Sequence, residues 1–198
     1  CHLVPSIGGQ PPRSAFGHIF SRQLGLLREI GALPKPNRDT EQQMIDRLKE
    51  ACDGFDIIKD PNGDLVELAS FMSSNPIALV GPTELLPALN RFKNQLNENS
   101  ARFARIGVIP EMNHNEIVGW TNANPNMIPV LIRKQNENVE IKNRFEALKN
   151  TAWKNIEVVE IFAKCDNNLS RILETIYIGD MVSIEIAKLN EVDPTPVK

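Results

Sequence analysis

From residue 76 onward the apolar positions keep changing period, and the changes mark out alternating strands and helices. Residues 77–80, Ile-Ala-Leu-Val, form a short apolar run closed by Gly81-Pro82, as in a strand buried on both faces. Leu85, Leu89, Phe92 and Leu96 then recur at three-four spacing. They predict a helix capped by Thr83 that buries one stripe and carries Glu98 at its C-terminal end, off that stripe. Residues 103–108 predict a second strand and 127–132 a third, where Pro129 suggests a sheet edge or a bulge. Residues 139–149 read as helix and 156–162 as a strand rich in β-branched residues. The last element is a long helix over 169–192, with Ile172, Ile176, Met181, Ile184, Ala187 and Leu189 on its apolar faces. Strands separated by helices imply right-handed crossovers and a mainly parallel sheet covered on both faces, a three-layer α/β/α sandwich. In such folds the ligand sits at the carboxyl ends of the strands.

The first third is helical and carries no strand signal. Residues 1–13 are rich in glycine and proline and predict an irregular connector. Ser14 is placed to cap a helix with Phe16, Ile19, Phe20, Leu24, Leu27 and Ile30 at helical spacing, ended by Gly31 and Pro34-Lys35-Pro36. Thr40 with Gln43 forms a capping box for a second helix, with Met44, Leu48, Ala51 and Phe55 on one face. Asp60-Pro61-Asn62-Gly63-Asp64 is a turn that lacks the later ligands of a calcium loop, and 65–73 is a short helix. The organisation predicted is a connector and helix over 1–37 followed by an α/β domain over 38–198.

Composition narrows the class without naming a function. The 198 residues are 41% hydrophobic and 24% charged, which suits a globular domain with its own core. A formal net charge of −3 argues against nucleic acid or an anionic membrane held by bulk electrostatics. No apolar run has the length of a membrane helix, and no signal-peptide pattern opens the chain. Cys1, Cys52 and Cys165 lack CxxC spacing and read as reduced thiols of a cytoplasmic protein, with no metal site.

The chemistry concentrates in residues 109–120, Ile-Pro-Glu-Met-Asn-His-Asn-Glu-Ile-Val-Gly-Trp. Here one of three histidines, His114, stands between Asn113 and Asn115 at the start of a predicted helix. Histidine suits proton transfer near neutral pH, and a carboxylate lies sixteen residues upstream in Asn97-Glu98-Asn99-Ser100. Asn113 and Asn115 are placed to orient the imidazole, and Glu116 to support the turn. No metal is implied, because His114 and Glu116 are two apart, which on a helix points them away from each other. A polar turn holding a hydrogen-bonded histidine is the plainer account of the same letters, and residue chemistry leaves both standing.

Taken together, Asn97-Glu98-Asn99-Ser100, the run from Pro110 to Trp120, Gly9-Gln10-Pro11-Pro12-Arg13-Ser14-Ala15 and Asp193-Pro194-Thr195-Pro196-Val197 resemble the motifs of the bifunctional phosphoglucose/phosphomannose isomerases. These are members of the sugar isomerase (SIS) superfamily. The four motifs fall in the family's order and bracket nearly the whole chain. The resemblance implies a SIS-type fold and a cofactor-free aldose–ketose isomerisation of hexose 6-phosphates through an enediolate. It implies Glu98 as the base that moves a proton between C1 and C2, and His114 as an aid to ring opening, supplied by the neighbouring subunit of a homodimer. Arg13 corresponds to the arginine beside the enediolate, although Pro11-Pro12-Arg13 has one proline more than the usual Gln-Pro-Arg. Thr195 corresponds to the substrate-binding threonine that precedes the family's catalytic lysine. That lysine and the Ser/Thr phosphate loop of a first SIS domain are not found here, so the chain reads as the C-terminal part of a longer protein, trimmed at its tail. The alternative is a SIS module that binds a sugar phosphate without turning it over. The isomerase half of an amino-sugar synthase is a third candidate, but it lacks this Asn-His-Asn-Glu context.

Overall fold

The computed structural model describes residues 8–123 and 126–196. The chain divides into two compact units, Cys1–Ile45 with Thr195–Lys198, and Asp46–Pro194. The boundary falls inside the second helix. Of the expected connector, residues 1–7, with Cys1, lie outside the described residues, as do residues 197 and 198.

The first unit contains α1 (Phe16–Glu29) and the start of α2 (Arg38–Asp53). Phe16 and Phe20 stack along α1, ring centroids 5.8 Å apart, and Arg28 pairs with Glu41. The predicted caps are corrected here. Ser14 does not cap α1: Ala15 holds the N-cap position, and the Ser14 hydroxyl donates back to the Pro11 carbonyl at 2.8 Å. Thr40 lies inside α2, which begins two residues earlier, and Asn37 Oδ1 accepts from Asp39 N–H at 2.8 Å in its place.

The second unit is built on four parallel strands in the order β2 (Ala104–Ile109), β1 (Ile77–Pro82), β3 (Ile128–Lys134), β4 (Val159–Ala163). Successive side chains of a strand point to opposite faces, and the core divides accordingly. Ile77, Leu79, Val130 and Ile132 join a layer with α3 (Asp64–Met72), α4 (Leu86–Ser100) and α7 (Asn168–Leu189). Ala78, Val80 and Leu131 face the other way, toward α5 (Glu116–Ala123) and α6 (Val139–Asn150). There Trp120 and Trp153 meet edge to face, 5.5 Å apart at 86°. The predicted stripe of α4 is real: Leu85, Leu89, Phe92 and Leu96 are fully buried.

Three further expectations are corrected. Pro129 marks neither an edge nor a bulge, since β3 lies between β1 and β4. Ile128 N–H donates to the Pro76 carbonyl on the β1 side, so the missing donor of Pro129 faces the β4 side, where pairing begins only at Val130. On α7, Ile184 and Leu189 are 38% and 44% exposed, while Ile178, Val182 and Ile186 form the buried stripe. Thr83 opens a short 3-10 turn, Thr83–Leu85, and uses its hydroxyl to bond the Ile109 carbonyl at 3.1 Å instead of capping α4. Asparagines cap where a side chain does: Asn138 on α6 and Asn167 on α7, each at 2.8 Å. Among the described residues no helix is long and apolar enough to cross a membrane.

Candidate active site

Glu98 stands exposed on the last turn of α4. The turn ends at Ala101, held at φ 51° with its N–H and that of Arg102 both on the Leu96 carbonyl. An alanine in this left-handed conformation is less favoured than glycine, so neighbouring contacts must hold it. They come from α7. Asn99, buried at 3%, donates through Nδ2 to Ser183 Oγ at 2.8 Å, and Arg102 Nη2 donates to Asn190 Oδ1 at 2.7 Å. About two turns upstream, Arg91 grips Asp180 through Nε to Oδ1 at 3.1 Å and Nη2 to Oδ2 at 2.7 Å. Burial pushes the Asp180 carboxyl above its ordinary value, and the guanidinium pulls it part of the way back. Phe92 packs against Gly179, where an added Cβ would stand 2.6 Å from its ring carbon Cγ.

His114 lies beyond the other end of β2. The chain leaves Ile109 through a cis peptide to Pro110, makes a 3-10 turn over Glu111–Asn113, and exposes His114 two residues before α5. The turn folds back over Gly107, where a Cβ would come 2.9 Å from Met112 Sδ and 3.4 Å from Glu116 Oε2. Glu116 forms an ion pair with Arg105 of β2 at 2.5 Å, a supporting role. The flanking asparagines bond elsewhere than to the imidazole: Asn113 Nδ2 donates to the Arg144 carbonyl at 3.4 Å, and Asn115 Nδ2 to Glu111 Oε1 at 3.0 Å. Asn115 Oδ1 also accepts from the Glu116 N–H at 2.6 Å. They fix the backbone on either side of His114.

Within one chain, then, β2 separates Glu98 from His114, one at the amino edge of the sheet and the other at the carboxyl edge. The first unit brings its own two candidates together. Arg13 Nη2 donates to the Thr195 carbonyl at 3.1 Å and to that of Pro196 at 3.5 Å, across 182 positions of sequence.

The carboxyl ends of β3 and β4 carry charges paired among themselves. Lys134 pairs with Glu84 and Arg47 with Asp166, while Arg171 donates to the Asp166 carbonyl at 2.5 Å. Glu174, fully buried on α7, accepts the backbone N–H groups of Lys164 and Cys165 at 2.9–3.0 Å. Cys52 and Cys165 are free thiols. Burial, with the Glu174 charge beside them, pushes them up to about 11 and about 12 respectively. Sequence reasoning missed the polar stripe Asp180, Ser183 and Asn190. Its signal was there: the three share one face of α7 at helical spacing, against Arg91, Asn99 and Arg102.

Comparison with known proteins agrees with this architecture. The family described as bacterial phospho-glucose isomerase C-terminal SIS domain matches residues 63–198. The chain is 28% identical over 202 residues to the bifunctional phosphoglucose/phosphomannose isomerase of Aquifex aeolicus, covering 100% of this chain and 59% of that protein. It is also 28% identical over 204 residues to the protein of that name from Caldicellulosiruptor bescii, covering 98% and 58%. The chain thus spans somewhat more than half the length of these curated relatives. Among solved structures, glucosamine-6-phosphate deaminase from Thermotoga maritima superposes with a TM-score of 0.59 at 12% identity, over 92% of this chain and 53% of that one. The C-terminal domain of glucosamine-fructose-6-phosphate aminotransferase from Francisella tularensis gives 0.55 at 13%, over 79% and 47%. At these identities the likeness is one of fold. On the match over residues 63–198, this chain belongs to the family of bacterial phosphoglucose isomerase C-terminal SIS domains.

Proposed function

We propose that this chain is the catalytic C-terminal part of an enzyme that interconverts glucose 6-phosphate and fructose 6-phosphate, with mannose 6-phosphate as a further substrate. The observation that carries this reading is its match along essentially its whole length to relatives named phosphoglucose/phosphomannose isomerases. In the reaction, the Glu98 carboxylate removes the C2 proton of the open-chain aldose, and the electron pair left behind forms the C1–C2 enediolate. Returning that proton to C1, while the O2 hydroxyl proton passes to O1, closes the C2 carbonyl and gives the ketose. Arg13 faces the enediolate oxygen as a fixed cation, Thr195 binds the substrate, and His114 moves the proton that opens the ring.

The exposure of both Glu98 and His114 at opposite edges of the sheet supports a shared site. In a homodimer, His114 of one subunit completes the pocket around Glu98 of the other. The test is Glu98→Gln in the full-length protein, which keeps the shape and removes the base. Here kcat falls by about 10²-fold or more while substrate binding changes little. Near-normal turnover in that variant contradicts the assignment.

A further inference from the structure

We infer that Asn99 and Ser183 are positioning residues that aim the Glu98 carboxylate; this rests on the reading of Glu98 as the base. Glu98 itself is exposed on the final turn of a helix, where backbone hydrogen bonding runs out and ends fray. A base must be held within a fraction of an ångström of the carbon-bound proton it removes. The next residue supplies the anchor. Asn99 points inward at 3% exposure, and its amide donates to Ser183 Oγ at 2.8 Å on a fully buried part of α7. The Ser183 hydroxyl passes its own hydrogen to the Asp180 carbonyl at 2.8 Å, so the acceptor is itself fixed. Side chains one residue apart on a helix differ by about 100° around the axis. Pinning position 99 to α7 therefore sets the rotation of the last turn and turns position 98 outward. The bonds to either side, Arg91 on Asp180 and Arg102 on Asn190, stop the helix from sliding along α7.

A purely structural Asn99–Ser183 bond would affect stability and leave turnover per folded molecule unchanged. The inference predicts a different pattern in the full-length protein assayed below its unfolding transition. Asn99→Ala and Ser183→Ala lower kcat by about 10- to 100-fold with KM within about twofold. Ser183→Thr, which keeps the hydroxyl, restores most of the rate. Phe145→Leu, a core change on the opposite face of the sheet, lowers the melting temperature without this loss of kcat. In a Glu98→Gln background, Ser183→Ala has no further effect on the residual rate, because the group it positions is gone. Should Asn99→Ala fail to fold, Ser183→Ala carries the test alone. Wild-type kcat in folded Ser183→Ala, with Glu98→Gln strongly impaired, overturns the positioning role and leaves the base assignment intact. Full activity of Glu98→Gln overturns both.

Discussion

Glu98 and His114 flank the same strand from opposite ends. Glu98 lies six residues before the first residue of β2, and His114 five after its last. A strand of this length spans about 17–20 Å, which is longer than an open-chain hexose can bridge between two catalytic groups. If both act on one substrate molecule, they come from different chains.

Subunit complementation tests that consequence. Glu98→Gln and His114→Asn proteins are each strongly impaired in the proposed mechanism. Mixed under conditions that exchange subunits, they form heterodimers in which one of the two sites keeps both wild-type groups. Turnover then appears in the mixture that neither protein has alone. A mixture as impaired as its parents contradicts a shared site.

The Arg91–Asp180 pair makes stability depend on pH. Burial raises the folded-state value of Asp180 and Arg91 opposes it, so the folded chain binds this proton more tightly than the unfolded chain does. The sign follows from linkage: this group's ionisation costs stability as pH rises from its unfolded value through its folded value. Arg91→Ala leaves a part-buried carboxylate unpaired and costs about 2–3 kcal/mol at pH 7, somewhat less than for a fully buried pair. Because removing Arg91 raises the Asp180 value further, the loss shrinks as pH is lowered and the carboxyl becomes neutral. Denaturant unfolding of both proteins at several pH values checks it; a loss that grows toward acid contradicts the account.

Gly179 gives a prediction free of charge effects. A methyl group there has no room, since Phe92 occupies the position. Gly179→Ala costs about 1–3 kcal/mol through overpacking. Adding Phe92→Leu shortens the ring side of the contact, so the double variant loses less than the sum of the two single losses. Strict additivity in denaturant unfolding contradicts direct contact.

The elements of the sheet were legible because a buried parallel strand and an amphipathic helix have different periods, as in residues 77–80 against Leu85, Leu89, Phe92 and Leu96. Details decided by tertiary contact were not. Pro129 reads as an edge signal, and only the late start of β4 explains its place in an interior strand. Ser14 and Thr83 have the letters of caps, but the helices begin later, with Ala15 and Leu85 at the N-cap positions, and both hydroxyls donate to carbonyls outside those helices. On α7, Met181 does pack against the core, but residues 184 and 189, apolar at equally plausible spacing, are exposed. The stripe that faces α3 and α4 is instead Ile178, Val182 and Ile186, because the polar Asp180 and Ser183 fix the rotation of the helix. In the candidate site, the motif letters pointed to Glu98 and His114, but nothing local in sequence says that Asn99 reaches a serine 84 positions away.

Isotope exchange at C2 tests the central claim most directly. Full-length protein is incubated with glucose 6-phosphate in deuterated water, and the recovered aldose is examined for deuterium at C2. Proton transfer by Glu98 predicts incorporation by the wild-type protein and a rate about 10²-fold lower in Glu98→Gln, with sugar-phosphate binding retained by both. Binding without exchange in the wild-type protein, or equal exchange in Glu98→Gln, contradicts it.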